Sequence, residues 1–146
     1  MKSVRAALSP PARILVAEDD DELRMLLTLK LRDAGFDVTE ACDGEDLLER
    51  LVQAAASDGG AGTFDMVLSD VIMPHFNALD VMIGARSCLV GTPVVLITAF
   101  PDAHTREQAR RLGVKAVLDK PLRLDDLSAT LVRILSHSGP VPNEIH

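Results

Sequence analysis

Short apolar runs alternate along the chain with longer segments in which apolar residues recur at helical spacing. The strand-like runs cover residues 13–17, 36–41, 65–69, 93–97 and 116–119. The helix-like segments follow them in turn, at 23–34, 47–55, 79–86, 102–112 and 124–135. Such regular alternation requires crossover connections, which place helices on both faces of a parallel sheet. The pattern therefore predicts an α/β fold built on a doubly wound, five-stranded parallel sheet.

The predicted helices differ in the width of their apolar faces. The fifth helix carries leucines and isoleucine along one clear stripe, which is typical of a helix packed on a sheet. The fourth helix, at 102–112, has only Ala103, Ala109 and Leu112 on its apolar face. A helix with so few apolar contacts buries little surface, so we expect it to move more easily than the others.

All of these elements fit into one domain, because 146 residues is an ordinary size for a single hydrophobic core. Residues 13–136 carry the predicted strands and helices. The segments 1–12 and 137–146 contain proline and polar residues and are predicted to be tails. The glycine-rich segment 57–63 is predicted to be a surface loop.

The charge and cysteine content exclude several classes of function. The net charge is −7 and the isoelectric point is about 5.0, which argues against a nucleic-acid-binding surface. Cys42 and Cys88 form neither a metal-ligand pattern nor a disulfide framework. No apolar run is long enough to span a bilayer, and residues 1–12 lack the apolar core of a signal peptide. We therefore expect a cytoplasmic protein without nucleic-acid or membrane partners.

Polar side chains stand at the ends of four of the predicted strands. Glu18, Asp19 and Asp20 follow the first strand, Asp70 follows the third, Thr98 follows the fourth, and Lys120 follows the fifth. Sites in open parallel sheets lie outside the carboxyl ends of the strands. These residues are therefore predicted to converge, although they are far apart along the chain.

Such a cluster suits phosphoryl chemistry. Several carboxylates repel one another without a counter-ion, and their oxygen atoms are the ligands that a hard cation such as Mg²⁺ prefers. An aspartate can attack a phosphoryl group and form an acyl phosphate. A lysine supplies positive charge to the phosphoryl oxygens and a threonine hydroxyl can donate a hydrogen bond to them.

Four motifs in this sequence resemble the receiver domain of bacterial two-component response regulators, the CheY-like family. They are ILVAEDD at 14–20, DVIMP at 70–74, ITA at 97–99 and LDKP at 118–121. Each motif alone is weak, but the four occur in the family's order and spacing, and the resemblance covers roughly residues 13–136. It implies a flavodoxin-like (βα)5 fold, a bound Mg²⁺ for which Mn²⁺ can substitute, and phosphorylation by a histidine kinase or a histidine phosphotransfer protein.

The resemblance also implies roles for individual residues. By position, Asp70 corresponds to the aspartate that accepts the phosphoryl group. Thr98 corresponds to the switch hydroxyl, and Lys120 to the family's lysine at the site. The bond between Lys120 and Pro121 is expected to be cis.

By the same resemblance, Glu18 and Asp19 form the acidic pair of the metal site, with Asp19 as the direct ligand. Asp70 and the backbone carbonyl of Ile72 complete the set. The residues alone leave a simpler interpretation open, because Asp19 or Asp20 can serve only as a helix N-cap. The family register assigns the metal role to Asp19, and capping or a place at the rim to Asp20.

Four positions depart from the family pattern. Val117 stands where the family usually has a Phe or Tyr that reorients with the threonine. Signal output is therefore expected to rely on the weakly packed fourth helix and the adjoining loop. Ile72 and Phe100 occupy positions that flank the phosphoryl group, and apolar side chains do not orient a hydrolytic water. We therefore expect a long-lived phospho-aspartate. Ala78 stands where the family commonly has Gly, which predicts a stiffer or differently turned loop.

Taken together, the sequence predicts a stand-alone receiver domain that is a signalling module and not an enzyme. Phosphorylation would switch protein–protein contacts to an unidentified downstream target through the face formed by the fourth helix, fifth strand and fifth helix. The same face would allow a monomer or a weak dimer. Two alternatives stay open: a phosphorylation-independent, degenerate receiver used as a scaffold, and an aspartyl-phosphate phosphatase.

Overall fold

A five-stranded parallel sheet forms the centre of the computed structural model, which describes residues 10–57, 63–100 and 102–136. The strands are β1 (Arg13–Ala17), β2 (Asp37–Ala41), β3 (Met66–Asp70), β4 (Val94–Thr98) and β5 (Ala116–Asp119). Their order across the sheet is β2-β1-β3-β4-β5, and all neighbouring pairs are parallel. The predicted doubly wound α/β fold is confirmed.

In the described part of the chain, four helices connect the strands and a fifth follows β5. They are α1 (Asp21–Asp33), α2 (Gly44–Ala55), α3 (Ala78–Gly84), α4 (Ala103–Arg111) and α5 (Leu124–Leu135). The third helix, predicted at 79–86, begins at Ala78 in the structure. It ends at Gly84, a poor helix former, and a short 3-10 turn at Arg86–Cys88 follows.

Two hydrophobic layers cover the two faces of the sheet. Alternate residues of each strand point to opposite faces, so Ile14 and Val16 lie in one layer while Leu15 and Ala17 lie in the other. Helices α1 and α5 cover the first face with leucines and isoleucine, and α2, α3 and α4 cover the second. The parallel strands are buried on both sides, which explains their continuous apolar runs.

Helix α4 has the weakest packing of the five, as its sequence predicted. Ala109 is the buried residue of Ala103–Arg111, and the other side chains of the helix are partly or fully exposed. Asp102 caps its start by accepting a hydrogen bond from the backbone N–H of Thr105 at 2.7 Å. The helix is therefore held by its cap and by surface contacts more than by the core.

Several sequence predictions concern segments that the structure does not describe. Residues 1–9 and 137–146 lie outside the described residues, as does 58–62, the centre of the predicted loop. Within the described ranges, no helix combines the length and the apolar character needed to cross a bilayer.

Candidate functional site

The carboxyl ends of β1, β3 and β5 place two acids and one lysine in direct contact. The Nζ atom of Lys120 lies 2.7 Å from Oδ2 of Asp70 and 3.2 Å from Oε1 of Glu18. Asp70 is the last residue of β3 and is 6% exposed, and Glu18 is 1% exposed. One ammonium group is thus shared by two buried carboxylates.

Glu18 is held by its backbone as well as by its side chain. Its N–H donates to the carbonyl of Ala41 at 3.1 Å, which continues the pairing of β1 with β2 by one residue. Its Oε2 atom accepts a hydrogen bond from the N–H of Asp20 at 3.1 Å. Burial raises the pKa of Glu18 and so does the charge of Asp70, whereas the Asp20 N–H and Lys120 act in the opposite direction.

The second carboxylate oxygen of Glu18 has an ion-pair partner but no hydrogen-bond donor. Oε1 is buried and accepts no hydrogen bond from the described residues, since Lys120 approaches it in a geometry that makes an ion pair only. Buried polar atoms are rarely left in this state. Glu18, Asp19 and Asp70 each offer a carboxylate oxygen, and these atoms lie within 4.8 Å of one another. An all-oxygen set of this kind fits a hard divalent cation.

Asp19 and Asp20 have different roles in the structure. Asp20 is the N-cap of α1, where its Oδ1 accepts hydrogen bonds from the N–H groups of Glu22 and Leu23. Asp19 makes no capping contact, and its exposed carboxylate belongs to the acidic cluster. The capping alternative therefore applies to Asp20 and not to Asp19.

Lys120 is fixed at the site by its backbone. Its N–H donates to the carbonyl of Thr98 at 2.8 Å, which extends the pairing between β4 and β5. Burial alone would lower the pKa of Lys120, but Asp70 and Glu18 raise it above its usual value. The Lys120–Pro121 bond is cis.

Thr98 stands at the end of β4, next to β3, and is 2% exposed. Its Oγ1 atom accepts a hydrogen bond from the N–H of Phe100 at 3.0 Å. Among the described residues, no hydrogen bond joins this hydroxyl to Asp70. Thr98 therefore lies beside the acidic cluster with its oxygen engaged by the loop that follows β4.

The loop between β3 and α3 borders Asp70 on another side. The N–H of Ile72 points to Oδ1 of Asp70 at 3.4 Å, which is a long hydrogen bond. The Ile72 side chain is 57% exposed and that of Phe100 is 64% exposed, so both present apolar surface to solvent. Ala78 begins α3 in a helical conformation after the Asn77 cap, so this position does not need glycine.

The same loop is anchored to the start of α2. The carbonyl of Pro74 accepts hydrogen bonds from the N–H groups of Gly44 and Phe76. The second bond closes a tight three-residue turn around His75, whose φ of 74° is unusual for a residue with a side chain. A Cβ atom on Gly44 would overlap the carbonyl oxygen of Phe76, so only glycine fits there.

Val117 lies in the interior of β5. It is 4% exposed, pairs with Leu96 of β4 and packs in the layer that contains Ala109 of α4. A short, buried side chain at this position leaves no aromatic ring to move between the interior and the surface.

One residue at the site has no counterpart among the sequence predictions. The guanidinium group of Arg24, on α1, donates to the backbone carbonyl of Glu18 at 2.8 Å. It also contacts Asp21 and Glu40. The sequence does show an arginine four positions after Asp20, at the start of a helix rich in acidic residues. It does not show which groups the long arginine side chain contacts.

Comparison with known sequences gives a consistent family match. The family model for the response regulator receiver domain matches residues 14–132. The transcriptional regulatory protein TcrA of Mycobacterium tuberculosis is 36% identical over 130 residues, which is 89% of this chain and 48% of that protein. PdtaR, a transcriptional regulatory protein of the same organism, is 35% identical over 118 residues, or 80% of this chain and 53% of that protein. The chain thus spans about half the length of these relatives.

Solved structures share the fold. The receiver domain of the hybrid histidine kinase CckA aligns with a TM-score of 0.68 and 32% identity, covering 85% of this chain and 99% of that one. A CheY-like receiver domain protein from Methanospirillum hungatei aligns with a TM-score of 0.77 over 86% of this chain and 94% of that one. At 19% identity, the second comparison bears on the fold alone.

Proposed function

This chain belongs to the response regulator receiver domain family, and we propose that Asp70 accepts a phosphoryl group from a histidine kinase or a histidine phosphotransfer protein. The main support for this proposal is the acidic cluster with its shared lysine. One carboxylate oxygen each from Glu18, Asp19 and Asp70 lie within 4.8 Å of one another, and Lys120 contacts Glu18 and Asp70. Three acids with one lysine leave a surplus of negative charge, which supports cation-assisted phosphoryl transfer.

In the proposed transfer, a carboxylate oxygen of Asp70 forms a bond to phosphorus while the P–N bond of the donor phosphohistidine breaks. The bonding electron pair leaves with the imidazole nitrogen, and the product is an acyl phosphate. Lys120 stands within ion-pair distance of Asp70 and can transfer its contact to a phosphoryl oxygen. Thr98, at the end of the neighbouring strand, is the proposed switch hydroxyl that would reorient toward the phosphoryl group.

Glu18, Asp19, Asp70 and the backbone carbonyl of Ile72 are the residues that would hold Mg²⁺, or Mn²⁺ in its place. When bound, the cation would offset the charge of the carboxylates and of the incoming phosphoryl oxygens. Glu18 and Asp70 need such compensation because one lysine serves both of them.

Phosphorylation is proposed to act through protein–protein contacts. The relatives TcrA and PdtaR are named transcriptional regulatory proteins, and the aligned segment covers about half of each. We therefore limit the predicted absence of nucleic-acid contacts to the receiver domain itself. We also propose that the receiver acts as a stand-alone module and that two copies pair weakly through α4, β5 and α5.

An intact-mass experiment tests the phosphoryl transfer. The protein is incubated with acetyl phosphate in the presence and absence of Mg²⁺, and we expect a single phosphoryl adduct that depends on Mg²⁺ and is removed by hydroxylamine. Asp70→Asn should abolish the adduct, whereas Asp80→Asn, which changes an exposed acid of α3, should retain it.

Other outcomes distinguish the two alternatives. Continuous release of phosphate without accumulation of an adduct would identify a phosphatase. A protein that forms no adduct with acetyl phosphate or with a phosphorylated histidine donor would be a phosphorylation-independent scaffold.

A further inference from the structure

Arg24 joins the loop that carries the acidic residues to two neighbouring elements. Its Nη1 atom donates to the carbonyl of Glu18 at 2.8 Å, Nε to Oε1 of Glu40 on β2 at 3.1 Å, and Nη2 to Oδ1 of Asp21 at 2.7 Å. The side chain is 17% exposed, although it belongs to the surface helix α1. A planar guanidinium group with donors in fixed directions is suited to holding three acceptors at once.

The contact with Glu18 is made to the backbone, at the peptide group that links Glu18 to Asp19. The N–H of Glu18 is already fixed by the carbonyl of Ala41. With Arg24 on the carbonyl, the backbone is held on both sides of Glu18. Because the peptide group is planar, its orientation fixes the place of the next Cα atom, which is that of Asp19.

The Asp19 side chain has no other restraint of this kind. Within the described ranges, no hydrogen bond or ion pair holds its carboxylate, which is exposed. It nevertheless lies close enough to Glu18 and Asp70 to share a cation with them. Its position therefore depends on the backbone that Arg24 holds.

We propose that Arg24 is a positioning residue for the metal site: by fixing the carbonyl of Glu18, it keeps the Asp19 carboxylate where it can share a divalent cation with Asp70. This inference rests on the proposed function, since it concerns the same Mg²⁺ site. Loss of a partner that orients a metal ligand typically lowers metal affinity by about 10- to 100-fold.

The positive charge of Arg24 and its positioning role predict opposite changes in Mg²⁺ affinity when Arg24 is replaced. A guanidinium group near a cation site repels the cation, so removal of this charge alone would tighten Mg²⁺ binding. Loss of positioning has the opposite effect. Lysine separates the two contributions further, because it keeps the positive charge but cannot contact three separate acceptors in the same way.

The experiment measures Mg²⁺ affinity directly by isothermal titration calorimetry, because the chain contains no Trp or Tyr to report binding by fluorescence. Both Arg24→Gln and Arg24→Lys are expected to weaken Mg²⁺ binding by about tenfold. Glu40→Leu removes one acceptor of the guanidinium group and should give a smaller loss in the same direction. Thermal melts recorded by circular dichroism show how much of each variant is folded.

Arg32→Gln is the matched control. Arg32 also lies on α1 and donates to a backbone carbonyl of β2, that of Val38 at 3.0 Å, but at the end of the helix away from the site. The Mg²⁺ affinity of the Arg32→Gln variant should equal that of the wild type. This comparison removes the general effect of loosening α1 from β2.

Several results would contradict the proposed role of Arg24. Tighter binding in Arg24→Gln with no change in Arg24→Lys would assign Arg24 a role through charge alone and overturn the proposal. Unchanged affinity in folded Arg24 variants would make Arg24 a purely structural link. If those variants do not fold, unchanged affinity in Glu40→Leu, which lacks the acceptor, overturns the proposal equally. A wild type that binds no Mg²⁺ would refute the metal site itself, together with the proposed function.

Discussion

Lys120 and Asp70 form an ion pair of 2.7 Å across the end of the sheet, although β4 lies between the strands that carry them. The same ammonium group is 3.2 Å from Glu18. The acidic cluster is thus not simply a set of repelling carboxylates. Lys120 supplies part of the counter-charge that a cation would otherwise provide.

Replacement of Lys120 by methionine should therefore destabilise the protein without Mg²⁺. Two buried carboxylates would lose their shared counter-charge. We expect a cost of about 2 kcal/mol, less than the roughly 3–5 kcal/mol of a fully buried pair, because Lys120 is partly exposed. Urea unfolding with and without Mg²⁺ measures this, and Mg²⁺ should recover part of the loss.

Lys30→Met is the control for that measurement. Lys30 pairs with Asp125 at 2.8 Å, but both side chains are exposed, so its removal should change stability little. Equal losses in the Lys30 and Lys120 variants would mean that the ion pair at the site has no special weight.

Gly44 is expected to tolerate no side chain, because its Cβ atom would meet the carbonyl oxygen of Phe76. Gly44→Ala should lower the free energy of unfolding by about 2 kcal/mol, since helix α2 must shift away from the loop after β3. Gly84→Ala is the opposite case: nothing lies within 4 Å of its Cβ position, and it sits in α3. It should be neutral or stabilising by up to about 1 kcal/mol. A urea titration of both variants checks the difference in sign.

The fold could be predicted from the sequence because the spacing of apolar residues along the chain differs between strands and helices. Continuous apolar runs such as that of β1 identify strands buried on both faces, and leucines at helical spacing identify α5. The placement of Glu18, Asp70 and Lys120 followed from one topological rule, since the carboxyl ends of parallel strands share an edge.

The details that could not be predicted depend on side-chain direction and on contacts between distant segments. Spacing along the chain does not show that the Thr98 hydroxyl bonds to the N–H of Phe100, because that depends on its rotamer. The reach of Arg24 to Glu40 depends on how α1 lies against β2. The close approach of Gly44 to Phe76 is likewise visible only once the loop after β3 is in place.

The stability of α4 should depend on pH through Glu107. Hydrogen bonds from Arg110 and Arg111 lower the pKa of Glu107 from 4.5 to about 2. Because the folded-state pKa is the lower one, this stabilisation is present above pH 4.5 and is lost as the pH falls toward 2. The difference in amide hydrogen exchange of α4 between wild type and Glu107→Gln should therefore shrink over that interval. A difference that stays constant would show that it does not arise from the charge of Glu107.

The lifetime of the phosphoryl group on Asp70 should be set by two exposed apolar side chains, Ile72 and Phe100. Neither can hold a water molecule for attack on phosphorus, so the wild-type adduct is expected to decay slowly. Ile72→Asn and Phe100→Glu each introduce a polar group that can orient water, and each should speed the decay by about tenfold or more. Intact mass recorded at intervals after removal of acetyl phosphate gives the rate.

Val90→Glu provides the control for these variants. Val90 is also an exposed apolar residue, but it lies in the turn before β4. Asp70 lies at the carboxyl ends of the strands, and Val90 lies at their amino ends. Its adduct should decay at the wild-type rate, because a carboxylate there cannot reach the phosphoryl group. Rapid decay in the wild type, unchanged in both Ile72→Asn and Phe100→Glu, would show that water reaches the phosphoryl group without help from these two positions.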